Sequence, residues 1–71
     1  MSKRELDFAV FCIENVADFY GLNGAHVYEL LANSKILDDY IIRCYDVLHT
    51  LGKDYLVQDI ADYMREAGIS L

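Results

Sequence analysis

The chain has 71 residues, 55% hydrophobic and 25% charged, and six basic residues against twelve acidic give a formal net charge of −6. Residues 1–71 have room for one hydrophobic core, so they read as a single small globular domain and not as a disordered tail. The acidic balance repels phosphate backbones, which disfavours nucleic acid as a partner and favours basic partners or plain solubility.

A chain this short buries a modest share of its unfolded surface, so its stability margin is small and a bound partner can add to it. It has no proline, which suits helices. Its longest apolar run, Phe8 to Ile13, falls far short of the roughly 20 residues that a membrane span needs. No signal-peptide pattern precedes that run, so no membrane association is expected and the cytoplasm is the expected location.

The first helix should start at Ser2, because Ser2-Lys3-Arg4-Glu5 has the form of a capping box. The serine hydroxyl and the glutamate carboxylate each satisfy a backbone donor that the helix start leaves free. Leu6, Val10, Ile13, Ala17 and Tyr20 recur at helical spacing, and Phe8, Phe11, Cys12 and Phe19 widen the stripe. So wide a face implies packing against more than one neighbour. Gly21 should end this helix, since glycine accepts the left-handed conformation that helix ends often use.

Asn23 is the expected cap of a second helix, Gly24 to Asn33, with Val27, Leu30 and Leu31 inward and its end at Asn33 and Ser34. A third helical region runs from Ile36 to Leu51 and closes at Gly52. Its stripe is Ile36, Leu37, Tyr40, Ile41, Cys44, Leu48 and Leu51. Lys53 or Asp54 opens the last helix, with Val57, Ile60, Ala61 and Met64 inward and Gln58, Asp59, Asp62 and Glu66 facing water. Gly68 followed by Ile69 fits a Schellman stop. The expected fold is all-α, a compact bundle of four to five short helices.

The junction of the first two helices has the spacing of a helix-turn-helix. Ala17 allows close approach, Gly21 makes the turn four residues later, and Val27 follows six beyond. Val16, Tyr20, Leu22 and Leu30 fill the apolar positions around them. As a DNA reader it is poorly equipped. Its second helix would offer Asn23, His26, Tyr28 and Glu29 outward, with no cation before Lys35 to meet phosphate.

Two cysteines, Cys12 and Cys44, lie far apart, each in an apolar stripe. Without an export signal they read as buried thiols, with a disulfide as the alternative. His26 and His49 do not complete any paired spacing with them, so neither a metal site nor a cofactor is expected.

Tyr45, Asp46, His49 and Thr50 are the nearest approach to a catalytic set. On a helix His49 lies one turn beyond Tyr45 and Asp46, and a carboxylate beside an imidazole orients the ring and raises its pKa. Neither Cys44 nor Thr50 is clearly placed as a nucleophile, and there is no glycine-rich phosphate loop. Catalytic residues are therefore not assigned. A histidine near a helix C-terminus also bonds the last carbonyls, so a structural or interface role is expected. Asp46 is expected to pair with His49, Arg43 or Lys53.

Six tyrosines and three phenylalanines are more rings than a small core can bury with every hydroxyl satisfied. Some should stand half exposed, and tyrosine is enriched where proteins bind one another. Asp38 and Asp39 are adjacent and diverge on a helix, whereas Asp59, Asp62 and Glu66 recur along one face of the last helix. That face is either simply solvated or an acidic stripe for a basic surface. The residues expected to meet a partner are Tyr40, Tyr45, Asp46, His49, Tyr55, Asp59, Asp62 and Tyr63.

The block Cys44-Tyr45-Asp46-Val47-Leu48-His49-Thr50-Leu51-Gly52 is followed by the acidic amphipathic run Tyr55 to Glu66. With Phe11-Cys12-Ile13-Glu14 and Asp38-Asp39-Tyr40-Ile41-Ile42, it resembles a bacterial domain-of-unknown-function family, number 3791, over residues 8 to 68. The family commonly has proline where this chain has Arg43. The resemblance therefore implies a kink or break near Ile42, although Arg43 restores a backbone donor there. Members are often encoded beside proteins that look like ADP-ribosyltransferase toxins, which implies an antitoxin or accessory partner.

The expected function is a non-enzymatic protein-interaction module, with the neighbouring toxin-like protein as candidate partner. The alternatives are a helix-turn-helix-like regulator and a self-associating protein, since wide apolar faces on short helices also suit a homodimer.

Overall fold

The computed structural model describes residues 1–71 as five helices without strands: α1 (Lys3–Tyr20), α2 (Gly24–Asn33), a π-helical segment (Leu37–Ile42), α3 (Tyr45–Leu48) and α4 (Lys53–Glu66). The fold is all-α, as the periodicity indicates. No helix is long and apolar enough to cross a membrane.

The capping box forms in full. Glu5 N–H donates to Ser2 Oγ at 3.1 Å, and Ser2 N–H donates to Glu5 Oε1 at 2.8 Å. The Ser2 backbone bond is the main reason the Glu5 carboxyl is held below its ordinary range. At the other end Gly21 takes φ 66°. Its N–H reaches Asp18 O at 3.3 Å, and Leu22 N–H reaches Ala17 O at 2.8 Å. This is a Schellman stop, which glycine enters without a Cβ clash. The same device closes α4, where Gly68 has φ 85° and Ile69 N–H donates to Met64 O at 2.9 Å.

α2 is capped by Asn23, whose side chain accepts from Ala25 N–H at 2.7 Å. Its exit is less regular. Lys35, not a glycine, holds φ 70°. The Ser34 hydroxyl bridges the exit by donating to Leu31 O at 3.2 Å and accepting from Ile36 N–H at 3.4 Å.

The expected break in the third region exists, one residue beyond Ile42. Arg43 and Cys44 form a turn, with Cys44 at φ −99° and ψ 21°. Arg43 itself keeps φ −62° and its N–H bonds Tyr40 O. The break therefore occurs with arginine at that position. Before it the chain is π-helical rather than α-helical. The wider turn keeps Leu37 and Ile41, four residues apart, both buried.

One core cluster joins the helices: Val16, Val27, Leu31, Ile41, Ile60 and Met64 are fully shielded, with Ala9, Cys12, Leu48 and Leu56 beside them. Each large aliphatic side chain in it contributes about 1.5–3 kcal/mol. The inner face of α1 needs correction. It centres on Ala9, Cys12 and Val16, whereas Leu6 (51% exposed), Val10 (43%), Phe11 and Phe19 are exposed. Phe8, Ile13 and Tyr20 are half buried and pack against this core from its sides. As its breadth implied, α1 packs against α2, α4 and the π-helical segment. Leu56 also turns inward, which the stripe of the last helix did not include.

Candidate functional site

Helix α4 buries Leu56, Val57, Ile60, Ala61 and Met64, which leaves its opposite face to Tyr55, Gln58, Asp59, Asp62 and Glu66. The π-helical segment lies beside one edge of that face. There Tyr40 stacks on Tyr63 with centroids 4.4 Å apart and planes 24° apart, and its hydroxyl donates to Asp59 Oδ2. Burial first, and then the Asp59 bond, push the Tyr40 phenol pKa above its ordinary range.

The other edge is tied down as well. Gln58 Nε2 donates to Asp62 Oδ1 at 3.0 Å, and Arg65 pairs with the same oxygen. Arg65 also donates to the Tyr20 hydroxyl at 3.2 Å, and that bond leads in raising the guanidinium pKa. Between these ties Tyr55 stands 67% exposed beside a shallow cleft of about 120 Å³ lined by Gln58, Asp59 and Asp62. Tyr40, Tyr55, Asp59, Asp62 and Tyr63 thus share one face.

Tyr45, Asp46 and His49 belong to a different arrangement, built on α3 and the first half of α1. The Tyr45 ring lies parallel to His49 at 4.4 Å and meets Phe8 edge-on at 5.4 Å, and Phe8 lies 6.5 Å from Phe11. His49 Nδ1 is 2.7 Å from Tyr45 O, the helix-end carbonyl bond expected of it. The expected Asp46 pairing is corrected. Asp46 is exposed and meets neither His49, Arg43 nor Lys53, and the chain's one ion pair is Arg65–Asp62. The stack and the carbonyl bond hold the imidazole without help from the carboxylate. Thr50 Oγ is engaged too, donating to Val47 O at 2.7 Å.

Both cysteines are free. Cys12 lies in the core, where burial pushes its thiol up to about 12, and Cys44 is half buried rather than buried. No three of the His, Cys, Asp and Glu side chains converge as metal ligands would. A second cleft, of about 210 Å³, separates α1 from the start of α4 and is lined by Asp18, Phe19, Asp54 and Val57 among others. Sequence reasoning missed Tyr20, Gln58 and Arg65 as ties of the α4 face, and Phe8 as the partner of Tyr45. An i,i+4 spacing from Gln58 to Asp62 was the signal available for the first group. The pairing of Tyr20 with Arg65 spans 45 positions and leaves no local trace.

These features define a small all-helical protein whose distinctive surface is made of tyrosines and carboxylates. The chain belongs to the family described as Protein of unknown function (DUF3791), which matches residues 7–67. Neither the curated proteins nor the solved structures compared with the chain include a match.

Proposed function

We propose that the protein is a non-enzymatic interaction module that binds another protein through the outer face of α4 and the adjoining π-helical segment. The observation that carries this reading is the fixed Tyr40–Tyr63–Asp59 arrangement beside the exposed Tyr55. Tyrosine presents large contact area at low conformational cost, and side chains already held in place lose little freedom on binding. The carboxylates around the rings select and steer a basic partner. By family resemblance, the first partner to test is an ADP-ribosyltransferase-like protein encoded next to it, with this chain as its antitoxin or accessory subunit in the bacterial cytoplasm.

Calorimetric titration of that partner with Tyr63→Ala and Tyr28→Ala variants tests the assignment. Both rings are on the surface, Tyr28 on α2 and Tyr63 on α4. Tyr63→Ala is expected to weaken binding by about 2 kcal/mol, the scale of an interface hot spot, and Tyr28→Ala to leave it unchanged. Equal effects, or none, would place the surface elsewhere.

A second reading draws on the α1–α2 junction, where Ala17 and Val27 are buried around the Gly21 turn. Against it, the capping Asn23 and His26, Tyr28 and Glu29 on α2 are exposed with no cation among them. Protein binding is therefore preferred, and duplex DNA in low salt is expected to give no complex. A complex whose affinity falls steeply with salt would reverse that preference.

A further inference from the structure

The α4 face offers a more specific match than a generic basic surface. Asp59 Oδ2 is occupied by the Tyr40 hydroxyl, and Asp62 Oδ1 by Gln58 and Arg65. Asp59 Oδ1 and Asp62 Oδ2 accept no bond within the chain. Each carboxylate is thus fixed through one oxygen and open at the other. The two residues are three apart on a helix, which sets their Cβ atoms about 5–6 Å apart. The Tyr55 ring stands on the same face, one turn before Asp59, and the cleft among them is lined by Gln58 and the two carboxylates, with no lysine or arginine in its wall.

The chain already shows how this face treats a guanidinium. Arg65 occupies one side of Asp62, between that carboxylate and the Tyr20 hydroxyl. The cleft beside Asp62 is lined by the Tyr55 ring and a second carboxylate, Asp59, so carboxylates on this face exceed the one guanidinium of Arg65. An arginine suits it better than a lysine. A planar guanidinium can stack on the Tyr55 ring while its two edges donate to different carboxylates, which a compact ammonium cannot do.

We propose that Tyr55, Asp59 and Asp62 form a receptor for one arginine side chain of the partner protein. This rests on the reading of the protein as an interaction module and names the group recognised.

The probe is N-acetyl-arginine methylamide, titrated into the isotope-labelled protein and followed by backbone amide shifts, with the lysine analogue in parallel. Saturable shifts are expected over residues 55–62, with the lysine analogue several-fold weaker. Asp59→Asn with Asp62→Asn keeps an acceptor for Tyr40 and Gln58 but removes both charges, and should weaken the arginine probe about fivefold. Tyr55→Ala should weaken it about two- to fivefold. Asp38→Asn with Asp39→Asn changes net charge equally and should have no effect. Equal loss in that control, equal binding of the lysine analogue, or shifts spread over the whole surface would overturn the receptor.

The partner complex is measured separately. A complex that survives Asp59→Asn with Asp62→Asn unweakened overturns the arginine receptor and leaves the interaction reading standing. Docking of the probe at residues 55–62 with no protein partner bound leaves the receptor and overturns the partner reading.

Discussion

At the scale of single residues, the chain has one conspicuous strain. Lys35 holds φ 70° after α2, a conformation that costs an L-residue about 1–2 kcal/mol and glycine nothing sterically. Glycine gives back part of the gain as unfolded-state entropy. Lys35→Gly is therefore expected to stabilise the fold by about 0.5–1 kcal/mol in a urea titration; a loss would mean that the lysine side chain contributes something of its own. A buried thiol and a half-buried phenol set the alkaline limit. Cys12 and Tyr40 both have folded-state pKa values above their ordinary ones, so the fold favours their neutral forms. Their contribution is complete below the ordinary values of 9.0 and 10.0 and is lost as pH rises toward the raised ones. The melting temperature should fall from pH 9 upward, and at pH 8 a thiol reagent should label Cys44 quickly and Cys12 only after unfolding. Equal labelling rates in the native protein would contradict the burial of Cys12. The residues themselves were partly legible. The stripe included Cys12 and Ala17, but it ranked Leu6 and Val10 above Ala9 and Val16. A helix bearing apolar residues around much of its circumference does not disclose which arc its neighbours cover.

At the scale of elements, the ends were easier to read than the middles. Ser2 with Glu5, Gly21, Asn23 and Gly68 act through bonds that reach at most five residues, so the local sequence contains the whole interaction. The π-helical turn was not visible, because apolar spacing of four fits an α-helix and a wider turn alike. The break after it was visible only through the family's proline. Arg43 has φ −62°, is exposed, and has only a short-range bond from its N–H to Tyr40 O. Proline fits that φ, so Arg43→Pro should cost about 1 kcal/mol, the value of the lost bond. Ala61→Pro, in the interior of α4 and fully buried, should cost about 3 kcal/mol or more. Comparable losses in the two variants would show that residues 43–44 are a continuous helix and not a turn.

At the scale of the whole molecule, all of the fully buried side chains are apolar, yet Phe11, Phe19, Val47 and Tyr55 stay at the surface. A net charge of −6 opposes indiscriminate association of such a surface with its own copies, and on the proposed reading it favours a basic partner. The candidate residues were chosen by type, as tyrosines and carboxylates in excess of what a core can use. Their separation into an α4 face and an α3–α1 aromatic ladder depends on how helices pack across long sequence separations, and Asp46 was assigned a pairing that spacing alone allowed and the packing does not. The most direct test of the interaction module is size-exclusion chromatography with light scattering, on the chain alone and co-expressed with the product of its neighbouring gene. A stable hetero-complex, weakened by Tyr63→Ala, is expected. A chain that elutes alone under both conditions, as monomer or homodimer, would contradict it.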